Sequence, residues 1–371
     1  MSTRLVDLVQ DRIDEFLEEK SSLVTSIAPE LETFLDYSTD FLRGGKRFRA
    51  LFCYWGWQAV GAGRGDFDPM AATHAPADLA AVVSACAALE VFHAAALVHD
   101  DIMDNSDTRR GLPAAHKRFE SLHADSEWGG ASSGFGSSAA LLLGDLLLGW
   151  SDELLDAGLR GLSSRDDATA ARGEFNLMRT EVTLGQYLDI LEEASWLRHP
   201  EAELLSRAHR VIVYKSAKYS VEAPLAIGAA MGGGTLAQVA ALRAFGLPLG
   251  IAYQLRDDML GVFGDPDVTG KPAGDDLREG KRTVLIALAR TKLPAHVTRL
   301  LDELLGDPEL DAQQVAMMQT AIRDSGAIEQ VERIIDHNVG LAREALDSVS
   351  LVGSARDQLL QLTDTVTKRH S

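Results

Sequence analysis

The sequence of 371 residues predicts an all-α protein, on three observations. Long stretches rich in Ala, Leu, Glu and Arg follow the helical period. None shows the two-residue alternation or β-branched enrichment of strands. The breaks between them are short and carry Gly or Pro. In chain order, the N-terminal segment MSTRLVDLVQDRIDEFLEEK reads as an acidic amphipathic helix, without the basic start and apolar core of a signal peptide. Helical patterns then run over 77–104, 138–159, 174–195, 201–231 and 235–263, and resume from 282 to the end. The breaks fall at 61–76, 124–138, 161–173 and from Gly264-Asp265-Pro266 onward. Within the second break, Gly129 to Ser138 reads either as a mobile loop or as a plain connection. No internal repeat, sustained leucine heptad or Pro/Gly/Ser linker divides the chain, which predicts one domain over 1–371.

Composition narrows the function. At 46% hydrophobic and 25% charged, the chain can bury a large core. Its net charge of -19 speaks against nucleic acid, whose phosphates need a basic surface, and against general attraction of anions. Any phosphate must therefore be held locally, by metal and a few placed cations. Cys53 and Cys86 are too few for a disulfide framework or a cysteine zinc site and read as buried small hydrophobes. No apolar run approaches the ~20 residues of a membrane span. The best, Ala139 to Leu148, is interrupted by Gly144-Asp145, so a cytoplasmic protein without transmembrane segments is expected.

Two aspartate clusters carry the chemistry. The first is Asp100-Asp101-Ile102-Met103-Asp104, with Arg109-Arg110-Gly111 behind it; the second is Gln254-Leu255-Arg256-Asp257-Asp258, with Gly270-Lys271 behind it. Asp100 and Asp104 share a helix face. Adjacent carboxylates repel unless a cation joins them, and hard oxygen ligands suit Mg²⁺, which takes carboxylates together with substrate phosphates. Carboxylates for metal and cations for phosphate read as a site for a diphosphate carried on Mg²⁺. His93 lies on the Asp100 stripe two turns deeper; alone it would read as a core histidine, and under the cluster it becomes a candidate substrate contact. Gly44-Gly45-Lys46-Arg47-Phe48-Arg49 opens a helix and places amides and cations together as an anion site, a weak signal by itself. Lys215, Ser216 and Lys218 lie near Tyr214 and Tyr219, and Gln186 stands one turn before Asp189. Gln254 lies beneath Asp257 and Asp258 on a helix face, and the loop from Thr269-Gly270-Lys271 to Gly280-Lys281-Arg282 suits closure over a phosphate.

Together these residues resemble the trans-isoprenyl diphosphate synthases, the polyprenyl synthetase family, and most of all bacterial geranylgeranyl diphosphate synthases. Gly44 to Arg49 resembles the GGKxxR segment, and Asp100 to Gly111 the first aspartate-rich motif DDxxDxxxxRRG. Lys215-Ser216 stands where the family has Lys-Thr, Gln186 lies in a GQxLD segment, and Gln254 to Lys281 covers the second aspartate-rich region. The match runs in order from about 40 to 285. Three departures stand out. Gly261 replaces the usual third Asp of the second motif, Ser216 replaces Thr, and 124–133 is longer than the family's minimum.

The resemblance implies an all-α bundle of about a dozen helices around a central cavity, and a homodimer. It implies that Asp100, Asp101, Asp104, Asp257 and Asp258 bind three Mg²⁺, which hold an allylic diphosphate with Arg109, Lys215, Lys271 and Lys281. Isopentenyl diphosphate would lie on Gly45, Lys46, Arg49, His93 and Arg110, with Gln186, Ser216 and Gln254 as further substrate contacts. Product length would be read at Ala95 and Ala96, where farnesyl synthases carry aromatic residues, and at Phe92 one isoprene unit deeper. The expected main product is geranylgeranyl diphosphate, with farnesyl or longer prenyl diphosphates as alternatives. A terpene cyclase would lack the second cluster and the paired basic motifs. A His-Asp phosphohydrolase would need histidines that are not evident. A non-catalytic partner subunit would be expected to lose metal carboxylates, and all five are present here.

Overall fold

A computed structural model describes residues 2–61, 76–109, 111–265 and 274–367. The all-α expectation holds: most described residues are helical, and the only strands among them form one two-residue antiparallel ladder. They form two compact units.

The first unit comprises Met1–Arg172 and Ile227–Gly234. Its helices are α1 (Ser2–Ile27), α2 (Glu32–Leu42), α3 (Phe48–Ala59), α4 (Pro76–Met103), α5 (Ala115–Asp125) and α6 (Ser132–Gly161), followed by the start of α7 (Arg165–Ser195). α4 is the core helix, its residues from Ala81 to Val98 almost all buried beneath α6, α3 and α1. Its length and apolarity would suit a membrane span, but 83% of the relevant window is buried in protein, which makes it a core helix. α6 begins at Ser132, inside the stretch that the sequence reads as a connection. The reason is packing: a Cβ on Gly136 would lie 2.9 Å from the Glu120 amide nitrogen of α5, so small residues are what lets the two helices touch. α7 likewise starts at Arg165, within the predicted break at 161–173, with Asp166 and Asp167 in its first turn complementing the helix dipole.

The second unit comprises Gly173–Ala226 and Thr235–Ser371. After the body of α7 come α8 (Glu201–Val211), a π-helical segment (Ile212–Glu222), α9 (Ala223–Met231), which passes into the first unit, and α10 (Leu236–Phe263). The remaining helices are α11 (Asp275–Glu279), α12 (Val284–Arg290), α13 (Ala295–Leu304), α14 (Ala312–Asp324), α15 (Ala327–Ala345) and α16 (Gly353–Thr367). The core gathers Ile251, Ala252 and Leu255 of α10 with Leu285, Ile286 and Ala289 of α12 and Val331 and Ile335 of α15. α10 also has the length and apolarity of a span, and half of its window is buried. It starts at a capping box in which the Thr235 hydroxyl accepts from Gln238 N at 3.2 Å and the Gln238 side chain accepts from Thr235 N at 3.0 Å.

The continuous helix predicted over 201–231 is interrupted by the π-helical segment, in which bonds reach one residue further than in an α-helix. Glycines on its neighbours make room for it. A Cβ on Gly185 of α7 would lie 2.5 Å from the Tyr214 carbonyl carbon, and one on Gly250 of α10 would lie 2.5 Å from the Ala217 carbonyl oxygen. Gly185→Ala should therefore displace the segment, cost about 1–3 kcal/mol and lower turnover through Lys215. Gly173→Ala on the same helix meets nothing within 4 Å and should be neutral or stabilising. Melting temperature and turnover of the two variants, measured side by side, check this; equal behaviour would refute it.

Candidate active site

The chemistry-bearing residues of the first unit lie on the C-terminal part of α4 and at the start of α3. Between Ala81 and Asp100 of α4, the accessible residues are His93, Ala96, Leu97, His99 and Asp100, so the stripe expected from the spacing is the one that faces outward. His99 packs onto Gly144 of α6 and lies 3.2 Å from the Leu141 carbonyl oxygen. Phe92 and Ala95 lie in the core instead, so among the three product-length positions Ala96 alone shares the open stripe. Asp104 follows the helix end, its amide bonding Asp100 O at 2.8 Å. Asp101 is fully buried and accepts from Arg109, at 2.8 Å from Nε and more closely from Nη2. Arg109 Nη2 also stands 3.6 Å from Asp100. Arg109 lies on a two-residue strand, paired Thr108↔Pro113 and Arg109↔Leu112. Arg110, assigned to isopentenyl diphosphate, lies outside the described residues.

The Gly45-Lys46-Arg49 segment precedes and opens α3. Gly44 and Gly45 have φ of 70° and 84°, conformations that suit glycine, and Lys46 is exposed. Between them and the helix, Arg47 adopts φ 50° and turns inward. Its Nη1 donates to Glu90 of α4 at 3.3 Å, and its Nη2 donates to Gln10 of α1 at 2.6 Å and to the Leu42 carbonyl. The other Glu90 oxygen accepts from the Ala50 amide at 3.2 Å. One helix-start amide is thus already satisfied from α4, and the segment is fastened to the helix that carries His93 and Asp100. Sequence reading missed Arg47 and Glu90; no local signal marks a pair 43 residues apart.

In the second unit, Lys215 and Lys281 converge on one carboxylate. Lys215 Nζ lies 2.5 Å and Lys281 Nζ 3.3 Å from Asp189 Oδ2, and Lys281 also reaches Glu193 at 3.1 Å. Asp189 sits one turn after Gln186 on α7 and is buried; its pairing role was not legible from the sequence. Lys218 pairs with Glu181. On α10, Gln254 Nε2 donates to Asp258 at 2.8 Å. Asp257 is exposed and Asp258 buried. Burial pushes the Asp258 carboxyl up to about 7, with Asp257 and Asp189 acting in the same direction, while the Gln254 hydrogen bond and Lys215 hold it down. Arg256, between the clustered residues, is structural: it binds Glu332 at 2.6 and 2.7 Å and the Thr367 carbonyl at 3.1 Å. Ser216 is partly exposed. Lys271 lies outside the described residues.

Hard carboxylates fit Mg²⁺. Among the described residues no three ligating groups converge on one point. The thiols of Cys53 and Cys86 are both free and buried, as the composition suggested.

Comparison with known proteins gives the family. The model of the polyprenyl synthetase family matches residues 28–322. A geranylgeranyl diphosphate synthase from Mycobacterium tuberculosis is 30% identical over 311 residues, 84% of this chain and 77% of the relative. A geranylfarnesyl diphosphate synthase from Aeropyrum pernix is 30% identical over 283 residues, 76% of this chain and 81% of the relative. Among solved structures, a geranylgeranyl pyrophosphate synthase from Corynebacterium glutamicum, complexed with isoprenyl diphosphate and magnesium, superposes with a TM-score of 0.90 at 36% identity, over 99% of both chains. The chain belongs to the polyprenyl synthetase family of prenyltransferases.

Proposed function

We propose that this chain catalyses the Mg²⁺-dependent head-to-tail condensation of isopentenyl diphosphate with dimethylallyl, geranyl and farnesyl diphosphates, with geranylgeranyl diphosphate as main product. The supporting observation is the convergence of Lys215 and Lys281 on Asp189, with the Asp257-Asp258 pair near enough that Asp189 and Lys215 both act on the Asp258 carboxyl. The relatives named for geranylgeranyl and geranylfarnesyl products support the substrate class.

In this reading Asp100, Asp104, Asp257 and Asp258 would hold the three Mg²⁺ that the allylic diphosphate requires. When bound, Mg²⁺ neutralises that group and stabilises the negative charge that grows on it as the C–O bond ionises. Asp101, being committed to Arg109, orients that guanidinium toward the diphosphate rather than holding metal. Lys215 and Lys281 donate to the departing oxygens. The Ser216 hydroxyl and the Gln254 amide oxygen turn dipoles toward the allylic cation, and apolar walls such as Ala96 exclude water that would quench it. Gly45, Lys46, Arg49, Arg110 and His93 hold isopentenyl diphosphate, whose double bond attacks; the proton then leaves with the diphosphate. We place the protein in the cytoplasm as a homodimer, to which the exposed Leu141 and Leu142 of α6 lend an apolar surface.

Incubation of purified protein with Mg²⁺, isopentenyl diphosphate and each allylic primer, followed by chromatography of the products, tests the reading. Twenty-carbon product is expected, and longer product would favour the geranylfarnesyl-like alternative. Ala96→Phe should shift output toward farnesyl diphosphate, since Ala96 lies on the accessible stripe one turn below Asp100. A distribution unmoved by Ala96→Phe would place the length control elsewhere.

A further inference from the structure

Arg256 directly precedes Asp257, yet its guanidinium is engaged by two other helices. Nη1 and Nη2 fork onto Glu332 of α15 at 2.6 and 2.7 Å, and Nε donates to the Thr367 carbonyl at the end of α16 at 3.1 Å. Successive side chains on a helix diverge by about 100°, so Arg256 leaves α10 on the back of the turn that presents Asp258. It can therefore act on the cluster through the backbone of α10.

The helix needs support at this place. Pro248 lies inside α10, two turns before Arg256, and has no amide to donate to Ala244 O, so the hydrogen-bond ladder that starts at the Thr235 cap is interrupted. The half that carries Asp257 and Asp258 depends for its position on what it packs against. Leu255 meets Val331 and Ile335, which flank Glu332 on α15, but apolar contact is non-directional. A planar guanidinium fork is directional, and it fixes the rotation of the turn as well as its distance from α15. α16, the last described helix, is tied to α10 at both ends, since Gln238 Nε2 also donates to Ser350 O at 3.3 Å just before α16 begins.

We propose that Arg256 is a positioning residue for the second aspartate cluster, joining α10 to Glu332 and to the end of α16 so that the turn bearing Asp257 and Asp258 is held in register for a metal-bound diphosphate. The proposal rests on the reading of those two acids as metal ligands. It assigns α15 and α16, which carry none of the candidate site residues, a part in metal affinity.

Calorimetric titration of Mg²⁺ into the full-length protein with inorganic diphosphate present tests this, alongside KM for isopentenyl diphosphate. Arg256→Lys keeps the charge and loses the fork. It should weaken Mg²⁺ binding about 10- to 100-fold, the scale for losing a group that orients metal ligands. Glu332→Gln, at the more exposed end of the pair, should act in the same direction and serves as the second variant should Arg256→Lys not fold. KM for isopentenyl diphosphate, whose proposed contacts lie in the first unit, should stay unchanged in both. Unaltered Mg²⁺ affinity in whichever of the two variants folds overturns the proposal. So does a loss of affinity matched by an equal rise in that KM, the mark of general loosening. Asp257→Ala separates the two levels: if it also binds Mg²⁺ normally, the metal reading of the cluster fails, and if it alone loses binding, only the role of Arg256 fails.

Discussion

Asp257→Ala should lower kcat by about a thousandfold or more, the scale seen when one preorganised group facing developing charge is removed. That corresponds to about 4 kcal/mol of transition-state stabilisation. The structure makes the variant a clean one. Asp257 is exposed, and its charge helps to push the Asp258 carboxyl upward, so its removal relieves repulsion rather than opening a hole. Melting temperature should hold or rise while turnover collapses, and the Asp258 pKa should fall. Asp100→Ala should cut turnover comparably, but Asp100 also stands 3.6 Å from Arg109, so its effect mixes metal with the placement of that guanidinium. Near-normal turnover in Asp257→Ala, at saturating substrates and Mg²⁺, would remove the second cluster from the metal site.

Glu90→Ala should cost about 3–5 kcal/mol of stability, because it strips one partner from a buried ion pair. Both side chains of the Arg47–Glu90 pair are almost completely enclosed, at 4% and 6% exposure. The truncation leaves a guanidinium in the interior and removes the acceptor of the Ala50 amide. Against a typical stability of about 5–15 kcal/mol, such a loss is large. The functional effect should be selective: the Gly45-Lys46-Arg49 segment loses its fastening to α4, so KM for isopentenyl diphosphate should rise more than kcat falls. Glu90→Gln keeps an acceptor for Ala50 and should lose less. Denaturant midpoints with steady-state kinetics decide it, and a loss below about 1 kcal/mol, the scale of an exposed pair, would refute the account.

What the sequence discloses and what it conceals divide along physical lines. The helices of 77–104 and 235–263 are legible because both are long, rich in Ala and Leu, and free of strand-type alternation. The starts of α6 and α7 are not, because Gly and Ser favour loops by propensity while Gly136 serves close packing. A π-helical segment leaves no trace in periodicity, since its cause lies in Gly185 and Gly250 on other helices. The aspartate clusters announce themselves because adjacent acids at the end of an apolar run are costly without a cation. Asp189 does not, since its meaning comes from two lysines that the fold delivers from 26 and 92 residues away. The capping boxes at Thr235-Gln238 and Asp311-Gln314 were readable from spacing alone and would have fixed two helix starts.

The sharing of Asp189 by Lys215 and Lys281 bears on which inhibitors the second unit can favour. With Glu193 included, two ammonium groups meet two carboxylates, so these lysines offer an incoming anion no net positive charge. Binding is an exchange of partners, in which each new contact is offset by one given up. A compound that brings divalent cations with it gives the displaced carboxylates a new partner, whereas a bare anion of equal charge leaves them facing one another. Competitive ligands should therefore rank by their power to chelate a metal rather than by their negative charge, a rule that the strongly acidic surface reinforces.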